Sequence, residues 1–192
     1  MRVISGNLKG RPLKAVPGKT TRPTADKVKE SVFQVMGPYF TGGRCLDLFA
    51  GSGGLGIEAI SRGMDTCVFV DQSGLAIKTI NANVDNLGIR EQSDVHRADA
   101  NRAINALAKK GNAFDLILVD PPYKKVNYAK IIERLLEHNL LVDKGLLYCE
   151  HDPLELLPES TNQLSIIKQA QYGQTIAVTI YEFSREGEQI HE

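Results

Sequence analysis

Cysteine is scarce in this chain of 192 residues, and the three present, Cys45, Cys67 and Cys149, are odd in number and far apart. They lack zinc spacing, and no histidine adjoins any of them. They read as reduced core thiols. The four histidines (His96, His138, His151 and His191) are scattered without triad or metal spacing, so no chemistry and no metal is assigned to them. Long apolar runs are also missing: the longest are strand-length, far short of a spanning helix. Met1–Ser5 lacks the long apolar segment of a signal peptide. The expectation is a soluble, cytoplasmic protein with no membrane partner. Internal repeats and low-complexity tracts are absent too. Net charge is zero, with 23 basic and 23 acidic residues. That balance hides an asymmetry. Residues 1–30 carry eight Lys or Arg against Asp26 and Glu30, a charge of +6, which leaves −6 for the rest. A basic arm on an acidic body suggests an anionic partner held at one end.

What is present is a foldable core. Hydrophobic residues make up 42% and charged residues 24%, enough apolar surface for one ordered domain of this length. Five apolar runs read as strands: Arg44–Phe49, Thr66–Val70, Asp94–Ala98, Phe114–Val119 and Gly145–Glu150. Leu55–Arg62, Gly74–Asn86, Ala100–Lys110 and Tyr128–His138 read as helices between them. Alternation of this kind predicts a doubly wound α/β sheet, mostly parallel and covered on both faces. After Pro153 and Pro158 the pattern changes, and Gln163–Ala170 and Thr175–Phe183 read as an antiparallel hairpin. The arm reads as a short hairpin, Arg2–Leu8 with Pro12–Val16 around Gly10, before a helix from Pro23-Thr24 to Met36. Three segments are expected: a basic extension over 1–40, the α/β domain over 41–184, and a polar tail over 185–192.

The first strand runs into Asp47-Leu-Phe-Ala-Gly51-Ser-Gly53-Gly-Leu-Gly56, a G-x-G-x-x-G pattern between strand and helix. Glycines there permit a tight turn and close approach of a ligand to the backbone. Asp71 follows twenty residues after Gly51, where a carboxylate can accept from ribose hydroxyls. An adenosine-type cofactor is expected. S-adenosylmethionine (AdoMet) lacks a phosphate but carries a cationic amino acid and sulfonium end, which Asp47 could face; a buried acid bonded to loop amides is the other account of Asp47. Phe49, Ser52, Gly53 and Ala100 complete the expected cofactor contacts. Asp99 could meet the adenine amine or cap the following helix.

The apolar run 114–119 ends in Asp120-Pro121-Pro122-Tyr123. Prolines cannot continue a strand ladder and hold the turn stiff. A carboxylate, outward carbonyls and a flat ring suit a planar heterocycle bearing an exocyclic amine. If the first and fourth strands are neighbours, this tetrapeptide and the cofactor loop stand at adjacent carboxyl ends.

The residues 47–59 and 120–123 resemble the cofactor and catalytic motifs of AdoMet-dependent amino-methyltransferases. Met1-Arg-Val-Ile-Ser-Gly-Asn-Leu-Lys-Gly-Arg11 and Thr21-Arg-Pro-Thr-Ala-Asp-Lys-Val-Lys-Glu30 narrow the match. They resemble the bacterial 16S ribosomal RNA guanine-N2 methyltransferases that modify one hairpin-loop guanine. The resemblance implies a seven-stranded class I methyltransferase sheet with its last strand antiparallel. It implies that Asp120 and the Pro121 carbonyl hold the guanine amine, that Tyr123 stacks on the base, and that Asp71 and Asp99 bind ribose and adenine. 16S rRNA or the small ribosomal subunit would be the partner, with phosphates held by Lys9, Arg11, Lys14 and Arg22. For Arg22 and Thr24 a capping or packing role competes with RNA contact. The tetrapeptide is shared with adenine-N6 methyltransferases, so the choice of base rests on the N-terminal match. Two further classes compete: a nicotinamide-dependent oxidoreductase, supported by the glycines alone, and a non-catalytic rRNA-binding assembly factor.

Overall fold

A computed structural model describes residues 1–19, 24–122 and 125–186; Arg22, Tyr123 and the side chain of Thr24 lie outside the described residues. The chain forms two compact units, Met1–Ala103 and Ile104–Glu192.

In the first unit, β1 (Arg44–Asp47), β2 (Thr66–Asp71) and β3 (Ser93–Arg97) run parallel, with Cys45 opposite Cys67 and Phe69 opposite Val95. Nearly every side chain of β1 and β2 is buried, as expected of inner parallel strands. By contrast β3 is mostly exposed and ends in His96 and Arg97; it is the sheet's edge, where charged residues discourage pairing with another chain. Three helices belong to this unit: α1 (Thr24–Met36), α2 (Gly54–Ser61) and α3 (Gly74–Leu87). Ser73 caps α3 by accepting from the Ala76 amide, and Gly88, at φ 70°, ends it in the left-handed conformation. Phe33, Leu46, Ile57, Phe69 and Ile80 make the centre of its core.

Helix α4 (Ala100–Lys109) leads into the second unit, which holds β4 (Phe114–Val119), α5 (Tyr128–Glu137), β5 (Leu141–His151), β6 (Leu164–Tyr172) and β7 (Ile176–Phe183). Asn127 caps α5 through the Lys130 amide. Strands β4 and β5 are parallel, whereas β7 runs antiparallel to both β5 and β6 and lies between them. The complete strand order is β3-β2-β1-β4-β5-β7-β6, the mixed, mostly parallel seven-stranded sheet that the sequence predicts. Strand β5 starts at Leu141, earlier than the expected Gly145. The register against β4 shifts between Phe114 and Leu116, and Lys144 adopts φ 63° beside it, so an irregular strand continues through residues that look like a turn.

The arm is a shorter hairpin than expected. Arg2 bridges Pro12, and the Val3, Gly10 and Leu13 amides donate across the arm to the Arg11, Val3 and Met1 carbonyls, but the pairing stops at Val3. The reason lies in where its amides go. Ile4 and Ser5 donate to the Glu58 carboxylate at 2.9 and 3.0 Å, Asn7 donates to the Ser61 carbonyl, and Leu8 donates to Ser61 Oγ. Helix α2 thus takes the donors that a facing arm strand would have used. Val3, Leu13 and Val16 are buried, which fixes the arm to its own unit.

Candidate functional site

Strand β1 ends at Asp47, and the chain turns through Leu48–Gly53 into α2. The turn is tied by the Ala50 amide to the Val70 carbonyl and by the Gly53 amide to the Ala50 carbonyl, each at 2.8 Å. Gly51 has φ 58° and open space where a Cβ would stand, which leaves backbone free for close approach. Gly56 does something else. A Cβ there would lie 2.5 Å from Phe69 Cε1 and 2.7 Å from Cys67 Sγ, so this glycine lets α2 pack against β2. Ser52 and Phe49 are half-buried beside the loop.

Asp71, at the end of β2, is held by the loop that it supports. Its Oδ2 accepts from the Gly51 amide at 2.9 Å and its Oδ1 from the Ser73 amide at 2.8 Å. A carboxylate offers about four lone-pair positions, so this one retains capacity for a diol. Asp47 is buried; Oδ2 accepts from the Gly56 amide at 3.0 Å, while Oδ1 has no hydrogen-bond partner among the described residues. Burial pushes its carboxyl up to about 7, and the Asp71 charge adds to the rise against the Gly56 amide. An orphaned, buried carboxylate oxygen and an open glycine fit a ligand with a cationic end and a ribose. Asp99 takes the capping role: its Oδ1 accepts from the Arg102 amide at 3.0 Å, and Arg102 Nε lies 3.4 Å from Oδ2. Ala100 is the first residue of α4.

In the second unit β4 ends in half-buried Asp120, buried Pro121 and exposed Pro122. Around this turn the fold brings together groups that carry no spacing signal in sequence. Tyr148 donates to Glu150 Oε2 at 3.0 Å and Tyr128 to the Glu150 carbonyl at 2.7 Å. Burial raises both phenols, and the Asp120 and Glu150 charges add to it, so both remain neutral donors. His151 packs edge-on against Tyr128. Its Nδ1 lies 2.9 Å from the Asp152 carbonyl, so in the neutral ring that nitrogen carries the proton and Nε2 accepts from Thr179 Oγ1.

The basic residues of the arm present exposed side chains at Lys9 and Lys14, while Arg11 Nη2 donates to the Asn86 carbonyl at 2.8 Å. Glu58, fully buried on α2, anchors the arm: besides the two arm amides it accepts from Arg62 Nε at 2.8 Å and lies 3.6 Å from Lys29 Nζ. Lys29 in turn donates to the Arg2 carbonyl. Burial lowers the Lys29 ammonium, and Glu58 opposes that. An acid and Arg62 spaced i, i+4 on an otherwise apolar helix are the sequence signal for this hub.

The strand order is that of the class I methyltransferases, a Rossmann-like sheet, and the donor set fits AdoMet. The chain belongs to the Conserved hypothetical protein 95 family, whose model matches residues 1–182. It is 50% identical over 181 residues to YlbH of Bacillus subtilis, provisionally named an rRNA methyltransferase, covering 94% of this chain and 98% of that protein. With the Ribosomal RNA small subunit methyltransferase D of Escherichia coli it shares 30% identity over 98% of this chain and 92% of that one. An Escherichia coli structure provisionally called methyltransferase yhhF superposes with a TM-score of 0.81 at 30% identity, covering 96% of this chain and 98% of the other. These relatives remove the ground for the nicotinamide reading, which stood on the glycines alone.

Proposed function

We propose that this protein transfers the methyl group of AdoMet to the exocyclic N2 amine of a guanine in 16S rRNA. The observation that carries the reading is the Asp120-Pro121-Pro122 turn closing β4: a carboxylate and a carbonyl on backbone that two prolines hold stiff. Its relatives' names support rRNA as the substrate, and the N-terminal motifs support guanine.

Bound AdoMet supplies an electrophilic methyl group on a sulfonium. The chain's residues do the rest. Asp71 accepts from the ribose hydroxyls, Asp47 balances the cationic end, and Phe49, Ser52, Gly53 and Ala100 line the cofactor. Asp99, through the capacity left by its cap, takes the adenine amine. The guanine amine is a poor nucleophile because its lone pair is delocalised into the ring. Asp120 and the Pro121 carbonyl accept its two N–H bonds and favour the tetrahedral form, in which the lone pair is directed at the methyl group. As the N–C bond forms the S–C bond breaks, leaving S-adenosylhomocysteine, and the surplus amine proton passes by way of the Asp120 carboxylate to water. Tyr123 stacks on the base. Lys9, Arg11, Lys14, Arg22 and Thr24, within the extension 1–40, hold the RNA, largely through phosphates. The target base must leave its stack, at a cost of a few kcal/mol, less in a loop than in a duplex.

The test is incubation with tritiated AdoMet and small subunits, or 16S rRNA, from a strain lacking the modification, followed by nucleoside analysis. N2-methylguanosine is the expected product. Labelled N6-methyladenosine would move the reading to adenine, and RNA binding without label would leave a non-catalytic binder.

A further inference from the structure

We propose that Asn83 is a positioning residue that couples the arm to the cofactor loop, so that cofactor binding and RNA binding strengthen each other. The inference rests on the function proposed above. Asn83 lies on α3 and is 1% exposed. Its Nδ2 donates to the Lys14 carbonyl at 3.0 Å and to the Ser52 carbonyl at 2.9 Å, while Oδ1 accepts from the Lys14 amide at 2.8 Å. Both donors of one amide are therefore spent, one on each element. Lys14 is a proposed phosphate contact, and Ser52 lies between the two glycines of the cofactor turn.

Burial makes the link stiff. The buried amide of Asn83 has no water ready to replace either carbonyl, so a shift of Ser52 is felt by the amide and passed to Lys14. The arm cannot absorb the shift locally, because Leu13 and Val16 are buried on either side of Lys14. A ligand that settles the glycine turn thereby settles the arm, and the coupling is reciprocal.

Hydrogen exchange on the full chain, with and without saturating S-adenosylhomocysteine, tests this. The amides of Val3, Gly10 and Leu13 bond within the arm and not to Asn83, so they report on it without being altered directly. In the wild type the cofactor product should slow their exchange about threefold or more, and raise affinity for 16S rRNA about fivefold. In Asn83→Leu both responses should vanish. Asn83→Asp keeps the acceptor for Lys14 and removes the donors; it serves if the leucine variant does not fold. A purely structural Asn83 would lower the melting temperature yet leave the cofactor-linked response intact, and that result overturns the proposal. So does a wild-type arm indifferent to bound S-adenosylhomocysteine. Slowed arm exchange with RNA affinity unmoved by bound S-adenosylhomocysteine would overturn the coupling and leave the cofactor reading in place. Failure of S-adenosylhomocysteine to bind the wild type would remove the cofactor reading and the coupling together.

Discussion

The glycine turn of the first unit and the proline turn of the second both follow a buried strand, and both carry an aspartate at the strand end, yet they are stabilised in opposite ways. In the glycine turn the backbone is permissive and the acids are committed: Asp71 holds two loop amides and Asp47 holds a third. In the proline turn the backbone itself is stiff, and the acid stands among neutral phenols. A permissive loop needs its carboxylates in order to have a shape at all. A stiff turn takes its shape from its prolines instead. Substitutions in the two regions should therefore fail differently.

The largest expected effect falls on the proline turn. Asp120→Asn keeps the outline but removes the charge, and methyl transfer should drop by ~10²-fold or more while AdoMet affinity changes much less. Single-turnover kinetics at saturating substrate would check it, and a wild-type rate would reduce the turn to architecture. Next comes Asp71→Ala, where calorimetry should find AdoMet binding weaker by about 2–3 kcal/mol, with some loss of stability because two amides lose their acceptor. Unchanged affinity in a folded variant would take Asp71 out of the site.

A smaller effect follows from Asp47. Its carboxyl, raised from the ordinary 3.8 to about 7, keeps its proton in the folded chain where the unfolded chain has released it. Stability should therefore fall as pH rises from about 4 to about 7 and level off above, and Asp47→Asn should abolish that slope. A cationic ligand needs the ionised form, so AdoMet affinity should rise about tenfold between pH 6 and pH 8. A flat affinity profile would mean that Asp47 only braces the loop. The smallest effect is on the arm: Lys9→Glu should lower the slope of log K against log salt for RNA binding by roughly 0.7–0.9, leaving AdoMet affinity unchanged.

Much of this was legible in the chain. The periodicity of residues 44–150 marks buried strands and amphipathic helices, because a parallel sheet covered on both faces leaves little else for those residues to do. The glycines and Asp71 were legible for the same reason: turn geometry demands particular residues at particular spacings. The arm's hairpin was legible but not its length, because the partners of residues 4–8, Glu58 and Ser61, lie more than fifty residues away. Local pattern carries no trace of such pairing. Tyr128, Tyr148, Glu150 and His151 were missed likewise, since only the pairing of β4 with β5 and the packing of α5 assemble them. Asp99 shows a different limit, where two accounts fit one sequence position and the fold forms the cap.

The placement of β7 bears on how the protein is made. This strand follows both of its neighbours in the chain, yet it sits inside its sheet, with β5 on one flank and β6 on the other. Until Ile176–Phe183 emerges, both flanking strands carry an unpaired edge, and the second unit cannot complete its core. A nascent chain stalled short of residue 176 exposes sticky strand edges, the kind of surface that chaperones hold and that aggregates when they do not.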